Sequence, residues 1–161
     1  MAALQPLSTV RYGNFTVPSS AKPDVDTAFS YLSADSVERS LIDKLEHGSR
    51  TYRLAVIHDG NDRFDPSSDT IYWDPHSALR TTSGGTQTPA LGLGHEIDHA
   101  VEDPATAQKL SGTFDPQYDN LEEKRVITGS ETHAAKTLGE GIRHDHGGTA
   151  FDVSSPTAHR S

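Results

Sequence analysis

The chain has 161 residues, a net charge of −9 and no cysteine. This length favours a single domain, an acidic surface disfavours nucleic-acid binding, and the lack of cysteine excludes disulfides, thiol nucleophiles and cysteine-ligated zinc. No stretch of the sequence is long and apolar enough to predict a membrane-spanning helix. We therefore expect a monomer that binds neither nucleic acid nor membrane.

The two ends of the sequence are rich in serine, threonine and proline. This composition predicts a flexible leader over residues 1–24, which could serve as a secretion signal, and a flexible tail over residues 151–161. Inside the leader, residues 10–17 alternate as an edge strand would, and Pro18 ends the pattern. The folded domain is predicted over residues 25–150.

The first half of this domain is predicted to hold two helices and two strands. Apolar residues at steps of four predict both helices within residues 25–48, the second capped by Asp35 or Ser36. Runs of β-branched and aromatic residues predict strands over 52–58 and 70–74. We expect these two strands to pair in the antiparallel direction.

Two further helices are predicted in the second half of the domain. Thr88 followed by Pro89 is a helix start signal, and this helix would run to about Val101. Residues 104–118 are predicted to be irregular. The last predicted helix covers residues 121–138 without a break.

The first of these helices contains the H-E-x-x-H motif in residues 95–99. His95 and His99 are four residues apart, so both imidazoles lie on one helix face and can bind the same tetrahedral metal ion. Glu96 points beside the metal, where it can accept a proton from a water molecule. The motif therefore predicts a catalytic zinc site with Glu96 as the general base.

The surroundings of the motif predict a buried helix, because most of its other residues are apolar. Gly92 and Gly94 each lower helix propensity by about 1 kcal/mol relative to alanine. These two glycines predict that other parts of the chain approach the helix closely there.

A catalytic zinc ion needs a third protein ligand. Glu123 shares a predicted inward face with Ile127 and Ser130, so we prefer it as the ligand. Glu122 lies on a more polar face and remains the alternative.

Several polar residues after the motif are candidates for supporting roles. Arg143 and His146 are predicted to stabilise the negative charge that develops on the carbonyl oxygen during peptide hydrolysis. Glu131 and His133 could orient a metal ligand. A separate structural metal on His144 and His146 is a weaker alternative.

Three segments together resemble a known family. Residues 93–100, 121–131 and 138–148 are similar to the NleD-like effector metallopeptidases, which are secreted bacterial zinc proteases of the glutamate-ligand zincin group. The similarity extends over roughly residues 70–150.

The resemblance implies an α+β zincin-like domain, in which a small and mostly antiparallel sheet packs on the motif helix and on a following helix that bears Glu123. It also implies a zinc endopeptidase that leaves the bacterium by a non-classical route, like type III or type VI secretion. Such an enzyme would cleave a protein in the target-cell cytoplasm, and an immunity protein or chaperone could accompany it. We expect the strand at 70–74 to be the edge of the sheet beside the metal, and the substrate to bind along this edge as an extended segment.

Two other functions fit the same residues. One is a zinc hydrolase that attacks peptidoglycan peptides, and the other is a non-catalytic binding module that zinc stabilises. Glu96 disfavours the binding module, because a structural metal site has no use for a general base.

Overall fold

The protein has an α+β fold, which a computed structural model describes over residues 8–160. The strands are β1 (Thr9–Tyr12), β2 (Phe15–Pro18), β3 (Tyr52–Val56), β4 (Arg63–Asp65), β5 (Thr70–Trp73), β6 (Ser77–Arg80), β7 (Thr86–Gln87), β8 (Phe114–Asp115), β9 (Asp119–Asn120) and β10 (Thr149–Asp152). The helices are α1 (Lys22–Leu32), α2 (Ser36–His47), α3 (Pro89–Val101), α4 (Pro104–Ser111), α5 (Leu121–Val126) and α6 (Thr132–Leu138).

The largest sheet is mixed, with strand order β1-β2-β3-β5-β4. Its three inner strands β2, β3 and β5 are parallel, whereas β1 and β4 are antiparallel edge strands. The expectation of a mostly antiparallel sheet, with β3 and β5 antiparallel to each other, was therefore wrong. Parallel pairing needs a crossover of about a dozen residues or more, and residues 57–69 provide it while forming β4 at the edge.

The part of the predicted leader that the structure describes belongs to the domain. Residues 9–18 form the β1–β2 hairpin, which turns at Gly13 with a φ of +58°. Phe15 and Val17 are completely buried in the core. The predicted alternation is therefore present, but β2 lies inside the sheet and only β1 is an edge strand. Residues 1–7 lie outside the described part of the chain.

Helix α3 is attached to the centre of the large sheet at its first turn. The indole nitrogen of Trp73, a fully buried residue of β5, donates a hydrogen bond to the carbonyl of Pro89 (2.8 Å). The Thr88 hydroxyl accepts a hydrogen bond from the N–H of Leu91 (3.1 Å), as its predicted capping role requires. These contacts fix the position from which the motif residues project.

The predicted flexible tail is also part of the fold. β10 pairs with β6 in a three-stranded antiparallel sheet of order β10-β6-β7. Further along, the carbonyl of Pro156 accepts a hydrogen bond from the N–H of Ala90 (2.8 Å). The described tail residues therefore brace the start of α3, a role that their composition does not reveal.

Residues 104–118, predicted to be irregular, contain the short helix α4 and strand β8. The Asp103 side chain caps α4 by accepting a hydrogen bond from the N–H of Thr106 (2.9 Å). No residue of α4 is buried, so the apolar periodicity that reveals other helices is missing.

The helix predicted over residues 121–138 is bent. A wide π-helical turn over Ile127–Glu131 separates α5 from α6, and Gly129 departs from helical geometry with φ −100° and ψ −105°. The Asn120 side chain caps α5, and Gly139 ends α6 in a left-handed conformation with φ +70°.

Candidate metal centre and cleft

Close approaches to α3 explain its two interior glycines. A Cβ atom on Gly94 would lie 2.6 Å from Oε2 of Glu38, and one on Gly92 would lie 3.0 Å from Oδ2 of Asp62. The prediction that other parts of the chain press against the helix at these positions is confirmed. Both approaching groups are carboxyls, so the helix meets acidic side chains at each glycine.

The side chains of His95, His99 and Glu123 converge and form a group that could hold a metal ion. Nε2 of His95 lies 3.0 Å from Oε2 of Glu123, and Nε2 of His99 lies 3.2 Å from Oε1 of the same carboxylate. The two Nε2 atoms are 3.0 Å apart. Glu123 therefore occupies the place predicted for the third ligand.

The other nitrogen of each imidazole contacts a buried carboxylate. Nδ1 of His95 lies 2.9 Å from Oε1 of Glu131, and Nδ1 of His99 lies 3.1 Å from Oε1 of Glu122. Glu122, the alternative ligand, thus lies behind a histidine and is not a member of the converging group. Metal-binding histidines almost always have such a partner, which fixes the ring and its tautomer.

His133, which was predicted to orient a ligand, lies elsewhere. Its Nδ1 atom is 2.6 Å from Oδ1 of Asp35, and 51% of its side chain is exposed. Two residues separate Glu131 from His133, so on a helix they point to nearly opposite sides, and His133 faces the start of α2.

The carboxylates around the two histidines determine their electrostatics. Burial opposes a charge on His95, but its hydrogen bonds to Glu123 and Glu131 outweigh burial and raise its pKa to about 10. Burial likewise opposes a charge on His99, whereas Glu122 and Glu123 raise its pKa to about 9. For Glu123, burial favours the neutral form, yet the two histidines hold its pKa well below the usual range. The group therefore has an anionic environment that stabilises a cation.

The donor chemistry of the group fits a metal ion. When both Nδ1 atoms carry the protons shared with Glu131 and Glu122, both Nε2 atoms present lone pairs to each other and to a carboxylate. Such mutually facing acceptors are satisfied by a cation between them. Zinc with ligand bonds of about 2.0–2.2 Å in a tetrahedron separates its ligand atoms by roughly 3.3–3.6 Å, close to the distances of 3.0–3.2 Å between these atoms.

Glu96 lies beside the group, as the motif predicts, and does not join it. Its Oε1 atom is 3.9 Å from Nε2 of His95, and only 7% of the residue is exposed. Burial is the main cause of the raised pKa of Glu96, which His95 and His99 partly offset.

Arg143 is engaged by a carboxylate within the site. Its Nε atom donates a hydrogen bond to Oε2 of Glu131 (3.0 Å), and one of its terminal nitrogens donates to Oε1 of the same residue (2.5 Å). Burial raises the pKa of Glu131, but the hydrogen bonds from His95 and Arg143 outweigh burial and hold this pKa at about 2. The same terminal nitrogen of Arg143 lies 3.2 Å from Nδ1 of His95, so Arg143 contacts both His95 and the carboxylate behind it.

His146 lies at the rim of the site. Its Nδ1 atom pairs with the Asp119 carboxylate, and its Nε2 atom is 3.4 Å from Oε2 of Glu123. About a third of its side chain is exposed. Neighbouring His144 is exposed, and no second metal-binding group that includes it was found within residues 8–160.

Two cavities open on either side of Glu96. The smaller, of about 150 Å³, lies between α3 and β6 and is lined by His95, Arg143 and small side chains. The larger, of about 740 Å³, lies between β4 and α4, with His99 and Glu123 in its wall. We call these two adjoining cavities the cleft, and each of them is lined by part of the metal group.

Sequence reasoning missed a second layer of polar residues that supports the site. Arg125 donates hydrogen bonds to Oε1 of Glu122 (2.7 Å) and to Oδ1 of Asp98 (2.8 Å), and the Ser130 hydroxyl also donates to Asp98. Asp98 is an unspecified position of the motif, so only the fold shows that it links α3 to the bent helix.

Comparison of the chain with family models, with curated proteins and with solved structures found no match. Over residues 8–160, none of the helices combines the length and the apolar content needed to cross a lipid bilayer.

Proposed function

We propose that the protein is a zinc-dependent endopeptidase with a zincin-like domain, related in mechanism to the NleD-like effector metallopeptidases that its sequence resembles. The observation that supports this proposal is the position of Glu96. A buried carboxyl lies next to the group formed by His95, His99 and Glu123, and both border a cleft.

The two histidines and Glu123 would hold the zinc ion, with Glu131 and Glu122 orienting the imidazole rings. Zinc is favoured because nitrogen and carboxylate ligands in this number are typical of catalytic zinc sites. Bound zinc would act as a Lewis acid that polarises the scissile carbonyl and acidifies the attacking water.

Glu96 would carry protons during the reaction. It accepts a proton from the water that attacks the carbonyl carbon, and it returns this proton to the amide nitrogen as the carbon–nitrogen bond breaks. Burial favours this role, because it raises the pKa of Glu96. A carboxylate with a raised pKa is a stronger base toward the proton of the attacking water.

Arg143 and His146 would have different supporting roles. Arg143 fixes Glu131, which in turn orients His95, and so acts as a positioning residue. The exposed edge of His146 faces the cleft beside Glu123, where it would donate a hydrogen bond to the carbonyl oxygen as negative charge develops there.

The substrate would bind as an extended segment along β4. This strand is the sheet edge next to the larger cavity, whereas β5, which was predicted to be the edge, lies inside the sheet. A free strand edge offers backbone hydrogen bonds to such a segment. From the sequence resemblance, we propose that the substrate is a target-cell protein and that the enzyme reaches it through a non-classical secretion system.

The proposal can be tested with zinc-loaded protein, a eukaryotic cell lysate and isolated bacterial sacculi, each with and without a chelator. We expect chelator-sensitive cleavage of a lysate protein, and Glu96→Gln should keep its zinc but lose about 10²- to 10⁴-fold of the activity. Cleavage of sacculi alone would establish the peptidoglycan hydrolase instead. Zinc binding without cleavage of either material would establish the binding module.

A further inference from the structure

Three residues line both cavities of the cleft, namely Asp62, Glu96 and His146. They therefore lie where the two cavities adjoin, and the scissile bond of a bound peptide would lie beside them. Glu96 and His146 already have proposed roles there. Asp62 has none, and it belongs to no sequence motif.

Asp62 is held in place by one of its two carboxylate oxygens. Oδ1 accepts a hydrogen bond from the backbone N–H of Asp74 (2.7 Å). Oδ2 lies over α3, because a Cβ atom on Gly92 would be 3.0 Å from it. Gly92 precedes Glu96 by one helical turn, so the Asp62 carboxyl lies next to Glu96 on the cleft side of α3.

The second oxygen is available to a ligand. Within residues 8–160, no hydrogen bond or ion pair reaches Oδ2, and the residue borders open space on both sides. Burial, reinforced by the negative charge of Glu96, raises the pKa of Asp62 to about 8, so the carboxylate is the main form above this pH. In this form Oδ2 can accept hydrogen bonds only, and it attracts a positively charged nitrogen.

We propose that Oδ2 of Asp62 accepts a hydrogen bond from the nitrogen of the scissile peptide bond and then binds the amino group of the product. This inference rests on the proposed peptidase function. Hydrolysis adds one water across the bond, and both water protons end on the nitrogen, carried by Glu96. The products are a carboxylate and an ammonium group, and the charge on this ammonium increases its attraction to Asp62.

The substitution Asp62→Asn tests the proposal with little change of shape. The amide oxygen can still accept the hydrogen bond from Asp74, which directs the amide NH₂ toward the cleft in place of Oδ2. An acceptor thus becomes a donor at the position that would face the substrate nitrogen. Asp65→Asn is the control, because Asp65 ends strand β4, three residues after Asp62, and lines neither cavity.

Activity would be measured above pH 8, where Asp62 is mainly a carboxylate, on a library of proteome-derived peptides with blocked termini. Mass spectrometry detects each new terminus. We expect Asp62→Asn to lower kcat/KM by roughly 10- to 100-fold, with unchanged zinc content and melting temperature. Asp62→Ala should lose a similar factor, and Asp65→Asn should match the wild type. Equal activity of Asp62→Asn and the wild type would overturn this inference alone, whereas a zinc-loaded wild type that cleaves no peptide would overturn the proposed function and this inference with it.

Binding of the two cleavage products gives a measurement that does not depend on turnover. Calorimetry should show that Asp62→Asn weakens binding of the peptide with the new amino terminus by about tenfold or more. Binding of the peptide with the new carboxyl terminus should not change. Equal weakening of both peptides would indicate a general distortion of the cleft and would contradict the proposed contact.

Discussion

The two helices that supply the metal-binding group are built in different ways. α3 is continuous, so a spacing of four residues is sufficient to place His95 and His99 on one face. The second helix is bent at residues 127–131, yet Glu123 before the bend and Glu131 within it both contact His95. Regular helical geometry thus places the two histidines, whereas a kink in the second helix places the two glutamates that contact His95.

The bend has a simple geometric consequence. Eight residues separate Glu123 from Glu131, and in a regular α-helix they would point in directions about 80° apart. The backbone leaves helical geometry at Gly129, and this kink changes the direction in which Glu131 points relative to Glu123. Both carboxylates therefore face α3.

The largest effect is expected from removing a ligand on the regular helix. His99→Ala should lose bound zinc on dialysis, because a carboxylate and one imidazole remain to hold the ion. The exposed His144 provides a matched control, and His144→Ala should retain one zinc per chain by metal analysis. Unchanged zinc in His99→Ala would refute the ligand assignment.

The next largest loss of zinc binding is expected from changing the residues that orient the two histidines. Glu131→Gln removes the charge that both His95 and Arg143 contact, and Glu122→Gln does the same for His99 and Arg125. Each should weaken zinc affinity by about 10- to 100-fold in a chelator competition titration.

The control for these two variants is Glu102→Gln. Glu102 pairs with Arg125 at 3.2 Å but contacts neither histidine. The zinc affinity of the Glu102→Gln protein should therefore stay near that of the wild type. If Glu131→Gln and Glu122→Gln also bind zinc with wild-type affinity, zinc binding by the two histidines does not depend on the charges of these buried carboxylates.

A further effect is expected on the side of α3 that faces away from the cleft. Glu38 is completely buried, and neither of its oxygens has a hydrogen-bond partner among the described residues. Burial, reinforced by the negative charges of Asp35 and Asp98, raises its pKa to about 8. Because the pKa is higher in the folded than in the unfolded state, Glu38 destabilises the fold progressively as the pH rises from about 4.5 to 8.

Glu38→Met should therefore stabilise the metal-free protein, by about 1–3 kcal/mol near pH 7.5 and by less at pH 5. Denaturant unfolding with a chelator present at both pH values would measure this difference. Asp43→Asn, an exposed change on the same helix, should have little effect at either pH. A gain that does not depend on pH would show that ionisation of Glu38 is not its cause.

The smallest effect is expected at the bend itself. A Cβ atom on Gly129 would have no neighbour within 4 Å, so Gly129→Ala should fold and should change stability by no more than about 1 kcal/mol. If packing against α3 imposes the bend, zinc affinity in the same titration should remain within a factor of about three. A large loss of affinity would show that the bend requires glycine.

Much of the site could be predicted because its determinants are close together in sequence. The H-E-x-x-H spacing places His95, Glu96 and His99, and the caps at Asp35 and Thr88 correctly mark the starts of α2 and α3. These features depend on contacts within one or two helical turns.

Other parts of the site depend on residues that are far apart in sequence. Whether Glu122 or Glu123 joins the metal-binding group is decided by the way α5 packs on α3. Asp62 gives no signal in the sequence, because its place beside Glu96 depends on β4 lying at the sheet edge next to α3.

The sequence by itself determined the metal-binding helix, its caps and the glycines at which other groups approach it. Only the tertiary structure decided that β5 lies inside a mixed sheet, that residues 9–18 and 149–159 join the fold, and that a kink lets Glu123 and Glu131 face the same histidine. The physical reason is the range of the interactions. Helical spacing and capping act over a few residues, whereas strand partners and helix bends are selected by packing between segments that are distant in the chain.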